Sequence, residues 1–131
     1  MFVKLLTGLL IWIGYSSYSW GVALQDLGNG TIRDYDTGLY WQRVDDGTPR
    51  HWSIAQSYCN SLTLAGKSNW RLPNSKELVS IIDLRKLGPA IDKDVFLGAK
   101  SSLYWTASIW ANNLNGTIVW AVDFDTGAIE A

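Results

Sequence analysis

The chain of 131 residues has one cysteine, one histidine, one methionine and three prolines. A lone Cys59 excludes an internal disulfide, and with His51 it leaves too few ligands for a structural zinc site. No Gly-rich phosphate loop, low-complexity tract or charge block interrupts the chain, so nothing supports a division into two domains. Neither sign of charge dominates: 11 Lys and Arg stand against 12 Asp and Glu. Recruitment of nucleic acid through bulk charge is therefore excluded. No long hydrophobic run occurs after the first residues, so no later segment is expected to span a membrane.

The first residues read as an address. Lys4 precedes a mostly apolar run from Leu5 to Ile13, followed by the small-residue-rich Tyr15 to Ala23, the pattern of a secretory signal peptide. Ser17 with Ser19, or Gly21 with Ala23, would supply the small residues at a cleavage site. An uncleaved anchor is the alternative, given Trp12, Tyr15, Tyr18 and Trp20. Residues 1–23 are thus expected to be a leader and 24–131 a single exported domain, secreted, periplasmic or on the cell surface. A chain of that length can bury about two thirds of its unfolded surface.

Two helix openings flank one Trp-Arg-Leu-Pro turn in Ser53 to Leu78. Ser53 stands three residues before Gln56 and Asn74 three before Glu77, the spacing of two capping boxes. Ile54, Ala55, Tyr58, Cys59 and Leu62 repeat at helical intervals, which predicts a helix over about 53–64 with Gly66 as its left-handed terminator. Leu78, Ile81 and Ile82 predict a shorter helix from about Ser75, stopped before Gly88-Pro89.

The two ends of the mature chain share turn chemistry. Asn29-Gly30-Thr31-Ile32 leads to Asp34-Tyr35-Asp36-Thr37-Gly38, and Asn115-Gly116-Thr117-Ile118 leads to Asp123-Phe124-Asp125-Thr126-Gly127. Asn-Gly and Asp-Thr-Gly suit tight hairpins, so the two Asn-Gly-Thr sequences are read as turns rather than glycosylation sites. Ile118, Trp120, Val122 and Phe124 alternate as a half-buried strand does, as do Leu39 and Trp41, with Leu103, Trp105 and Ala107 forming another strand. The order predicts an α+β domain with two short helices on one antiparallel sheet, formed by the N- and C-terminal strands, and a long loop region.

The succession Asp36 to Trp41, Ala55 to Cys59, Leu64-Ala65-Gly66, Asn69-Trp70-Arg71-Leu72-Pro73, Lys76-Glu77-Leu78, Tyr104-Trp105 and Trp120 to Gly127 resembles the Lcl C-terminal domain family. That family is the C-terminal domain of bacterial collagen-like adhesins, and it recurs as a domain of unknown function in secreted and surface proteins. The resemblance implies a C-type-lectin-like fold, distantly similar to the formylglycine-generating sulfatase-modifying enzymes. Family members usually continue into a last strand with an Arg-Cys-Val-Arg type of sequence. This sequence departs there, so the resemblance implies a missing closing strand, a bare edge along Ile118 to Phe124 and an absent partner for Cys59. The residues themselves also allow Cys59 to be a small apolar member of the first helix, the preferred reading.

The chemistry-bearing candidates are few. The formylglycine reaction needs two cysteines, and a thiol in an apolar stripe is inert, so no catalytic residue and no enzyme activity is expected. Asp34 with Asp36 and Asp123 with Asp125 would suit calcium, yet Asp in turns commonly caps its own backbone; no metal or cofactor is expected. Trp41, Trp70, Trp105 and Trp120 are assigned to the core, together with Ser53, Cys59, Arg71, Pro73, Asn74 and Glu77 as structural residues. Trp52 is assigned to packing before the first helix. Arg85, Lys86, Lys93 and Lys100 are interspersed with Asp83, Asp92 and Asp94, a mixed-charge loop. Trp110 differs, because it opens a polar segment in which an indole would stack on a sugar while Asn112, Asn113 and Asn115 bond its hydroxyls. The expected function is a non-catalytic recognition or adhesion module for glycans or extracellular matrix polymers. The alternatives are an assembly domain of a surface protein, or a truncated copy without independent function.

Overall fold

The computed structural model describes residues 3–5, 24–113 and 116–131. Apart from Val3–Leu5, the expected leader lies outside the described residues. The elements run β1 (Val3–Leu5), β2 (Leu24–Asp26), β3 (Thr31–Asp34), β4 (Leu39–Gln42), α1 (Trp52–Ser61), α2 (Ser75–Val79), β5 (Leu103–Asn113), β6 (Gly116–Asp123) and β7 (Ile129–Glu130). The class is α+β, as the sequence predicts. Among the described residues no helix is long and apolar enough to cross a membrane.

The strands form two antiparallel sheets rather than one. The first has the order β1-β4-β3-β2 and the second β5-β6-β7, so the expected single sheet sewn from both chain ends is corrected. Each Asp-x-Asp-Thr-Gly turn folds the chain back onto the strand it has just left, which satisfies the backbone locally. The Asp34 side chain accepts from the amides of Asp36 and Thr37 and from the Thr37 hydroxyl. Asp123 likewise accepts from the Asp125 amide and the Thr126 hydroxyl. Gly38 and Gly127 close the turns at φ 74° and 80°, angles that cost a side-chain-bearing residue strain. The second turn also returns β7 onto β6, pairing Ile129 with Val122 and Glu130 with Ala121. That stretch of β6 is therefore an interior strand, not the bare edge expected.

The remote strands meet through side chains instead. Ile32 and Trp41 share a core cluster with Leu78, Ile91, Phe96, Val122 and Phe124. On the opposite face of the first sheet, Tyr40 joins Ala55, Cys59, Trp70 and Leu72 in a second cluster. This explains why β4 is buried at Leu39, Tyr40 and Trp41 in succession, where alternation alone predicts a half-buried strand. Neighbouring residues of β5 divide between the clusters, Tyr104 packing on the first and Trp105 on the second.

The helices differ in how closely they follow their capping signals. At α2 the Asn74 side chain accepts from the Glu77 amide, and Glu77 accepts from the Asn74 amide, both at 2.8 Å. The box expected at Ser53 is absent, because the N-cap falls two residues earlier, at His51, with no side-chain cap bond. The indole of Trp52 donates to the Thr106 carbonyl at 2.9 Å, a tertiary anchor that draws Trp52 into the first turn and displaces Ser53 from the cap. Ile54 is 58% exposed and falls off the buried side formed by Ala55 and Cys59. The helix ends at Ser61 rather than near 64, and the left-handed Ala65 and Gly66 form a tight turn between Leu64 and Lys67. Gly66 thus has the expected backbone form in a hairpin turn instead of a helix terminus.

Candidate functional site

Trp110 lies on β5, so the polar loop expected around it is corrected to a strand. β5 runs to Asn113 and pairs with β6 as Ile109↔Val119, Ala111↔Ile118, Asn112↔Thr117 and Asn113↔Gly116, with register shifts on either side of Ile109. Such irregularities re-aim side chains. Asn112 and Asn113 belong to the strand by their backbones, and Asn115 lies outside the described residues. Trp110 is 59% exposed and meets Trp120 edge-on, with ring centroids 6.3 Å apart at 65°. Ile109 and Ile118 are exposed beside it. The far end of the hairpin thus presents apolar side chains to solvent, one of them a braced indole.

A cavity of about 290 Å³ opens elsewhere, lined by Asp45, Asp46, Arg50, Lys100, Tyr104 and Trp105 among others. Its wall is built by the irregular segment after β4, which the Asp45 amide ties to the Leu97 carbonyl at 3.0 Å. The Trp105 indole holds the same segment by donating to the Arg50 carbonyl at 2.8 Å. Arg50 grips Asp46 through two nitrogens at 2.9 and 2.6 Å and lies 3.9 Å above the Tyr58 ring. Its hydrogen bonds to Asp46, more than charge alone, hold that carboxyl far below the usual carboxylate range. The Tyr104 hydroxyl donates to Asp45 and accepts from the Lys100 amide at 3.0 Å. Burial and then the bond to Asp45 push the Tyr104 phenol up. Two acids and two bases balance in this wall, so its charge suits a small neutral polar group rather than an ion.

The remaining candidates resolve into structure. Arg71 donates two bonds of 2.8 Å to Glu77, the residue that completes the α2 cap. Burial alone would raise the Glu77 carboxyl, but Arg71 and the Asn74 amide outweigh it and leave the pKa lowered. Cys59 is free and fully buried on α1, and desolvation pushes its thiol up to about 12. His51 is exposed and its Nδ1 lies 3.3 Å from the Ser53 hydroxyl. In the mixed-charge segment Asp83 pairs with Arg85 and Asp92 with Lys86.

The family model described as the Lcl C-terminal domain matches residues 30–131. The chain belongs to the Lcl C-terminal domain family. No curated protein and no solved structure matches it. Within this Lcl C-terminal domain, Trp41 and Trp70 are fully buried, while Trp105 and Trp120 are half-buried on the second sheet. Membership is compatible with a domain of a surface protein. The cavity is the feature that residue patterns missed: its walls come chiefly from residues 42–50 and 100–105, and although alternation marks the second stretch as a strand, nothing in either one signals that they meet. The nearest hint was Asp45-Asp46-Gly47, a turn-prone cluster set between a strand and a helix.

Proposed function

We propose that this Lcl C-terminal domain is an exported, non-catalytic recognition or adhesion module that binds glycans or extracellular matrix polymers through the far end of the β5–β6 hairpin. The observation that supports this most is Trp110, more than half exposed yet braced on Trp120. A braced indole loses little conformational freedom on binding and offers a flat apolar face to a sugar ring. The amides of Asn112, Asn113 and Asn115 are assigned to the ligand's hydroxyls. A C-type-lectin-like architecture is part of the proposal, supported by family membership and by the sequence strand hairpin, helix, Trp-Arg-Leu-Pro connector, helix, strands. The non-catalytic reading draws support from the burial of the Cys59 thiol in apolar surroundings, which suppresses thiolate formation.

Glycan-array and matrix-binding measurements on the mature domain test the proposal. Trp110→Ala is expected to weaken binding about tenfold or more, the loss of ~1.4 kcal/mol or more that an aromatic anchor typically carries. Binding unchanged by Trp110→Ala, or no binding to any glycan or matrix polymer, would refute it. The exposure of Ile109 and Ile118 beside Trp110 also favours a second reading, an assembly domain that buries this end of the hairpin against another protein. Light scattering distinguishes the two, since a stable monomer counts against assembly.

A further inference from the structure

We propose that the domain carries an oxyanion-binding site built by Arg33, Tyr40 and Lys67, separate from the Trp110 surface. Register places Gln25, Arg33 and Tyr40 in one row across β2, β3 and β4, so their side chains leave the sheet on the same side. The Arg33 guanidinium sits between two rings, 5.0 Å from the centroid of Tyr35 and 5.2 Å from that of Tyr40. One of its terminal nitrogens donates to the Tyr40 hydroxyl. Its Nε is buried and has no hydrogen-bond partner. Lys67, fixed by the tight turn from Leu64, brings its ammonium to 4.9 Å from the centroid of the same Tyr40 ring.

Two cations therefore converge on one phenol, and among the described residues neither has a carboxylate within ion-pair distance. Arg43, Arg50, Arg71, Arg85 and Lys86 each have one. Aromatic faces stabilise a cation only in part, and two like charges sharing a ring raise the local positive potential. The buried Nε lies out of reach of solvent, so an anion would meet the guanidinium through its terminal nitrogens. The group that meets all of these is a compact oxyanion, whose several oxygens can accept from the guanidinium, from the Tyr40 hydroxyl, which accepts from Arg33 and keeps its own proton to donate, and from the Lys67 ammonium. A phosphate and a carboxylate both present such oxygens. The exposed Tyr35 ring, whose hydroxyl donates to Gln25 at 2.6 Å, would flank the body of the molecule that carries the anion.

The test is an NMR titration of the intact domain with inorganic phosphate and, separately, acetate, with chloride at matched ionic strength as control. Saturable shifts of the Arg33 Nε–H and Tyr40 ring signals are expected with phosphate, acetate or both, while the Trp110 indole stays unmoved. Phosphate alone would assign a tetrahedral oxyanion, and both together would extend the site to carboxylates. Arg33→Gln and Lys67→Gln should each weaken the response about tenfold, as loss of a charge-assisted contact does. Lys67→Gln leaves the turn's backbone bonds in place, so it remains informative should Arg33→Gln disturb the sheet. Shifts that chloride reproduces, or an affinity unchanged in Lys67→Gln, would overturn the proposal. Because the probe signals lie away from Trp110, this outcome is independent of the glycan reading.

Discussion

The turns at Asp34–Gly38 and Asp123–Gly127 are written in nearly the same letters and bear very different structural weight. Both close with the same bond, the Gly amide to the carbonyl of the first Asp, at 2.9 Å and 2.7 Å. Yet Tyr35, second in the first turn, is 55% exposed, whereas Phe124 in the same place is fully buried and stacks on Tyr104 with centroids 4.1 Å apart. The backbone of Phe124 is also clamped, accepting from the Ala90 amide and donating to the Ser102 carbonyl. A Cβ on Gly38 would meet open space, while one on Gly127 would come within 2.8 Å of Leu84 Cδ2 and 2.9 Å of Ile82 Cγ2. Local chemistry sets the shape of such a turn. What it is worth depends on what packs against it.

Substitutions made in pairs sharpen this contrast, and the largest effect is expected at the second position. Phe124→Ala should cost about 3–5 kcal/mol, as loss of a buried aromatic does, against no more than about 1 kcal/mol for Tyr35→Ala. Urea denaturation midpoints measure both, and equal costs would break the comparison. The closing glycines come next. Gly38→Ala should lose about 1–2 kcal/mol from its left-handed backbone alone, and Gly127→Ala roughly 1–3 kcal/mol beyond that from overpacking against Ile82 and Leu84. The smallest difference is expected at the capping acids, and it runs the other way. Asp34 is 1% exposed and accepts three bonds, whereas the half-exposed Asp123 accepts two. Asp34→Ala should therefore cost about 2.5 kcal/mol and Asp123→Ala about 1.5 kcal/mol, within the range for hydrogen bonds to charged groups. Thermal melts giving the opposite order would show that the docked turn governs its acid as well as its aromatic.

The same division between local and remote causes decides what could be read from the residues. The α2 start at Asn74, the two hairpin turns and the burial of Trp41 and Trp70 follow from neighbours within a few positions, and so were legible. The α1 start was not, because the Trp52 indole reaches Thr106, 54 positions away, and overrides the Ser53 signal. Alternation identified the strands but carries no statement of which strand pairs with which, and the single-sheet expectation failed for that reason. Residue patterns place Trp110, Asn112 and Asn113 in a polar loop, whereas all three lie on β5, because polar side chains at a hairpin end resemble a turn. The pairing of Arg33 with Lys67 around Tyr40 joins two segments through a sheet register and a turn that no periodicity encodes.

One strand has a mechanical consequence. Since Tyr104 and Trp105 are consecutive yet belong to opposite clusters, the start of β5 works like a party wall between two rooms. Melting either room must pull on the peptide that supports the other, so the domain is bound to lose both together. Past Thr106 the wall is still tied down, the Ala107 amide donating to the Pro73 carbonyl at 2.7 Å and the Ser108 hydroxyl accepting from the Ser75 amide at 2.9 Å, so the root that carries the load extends beneath the second helix.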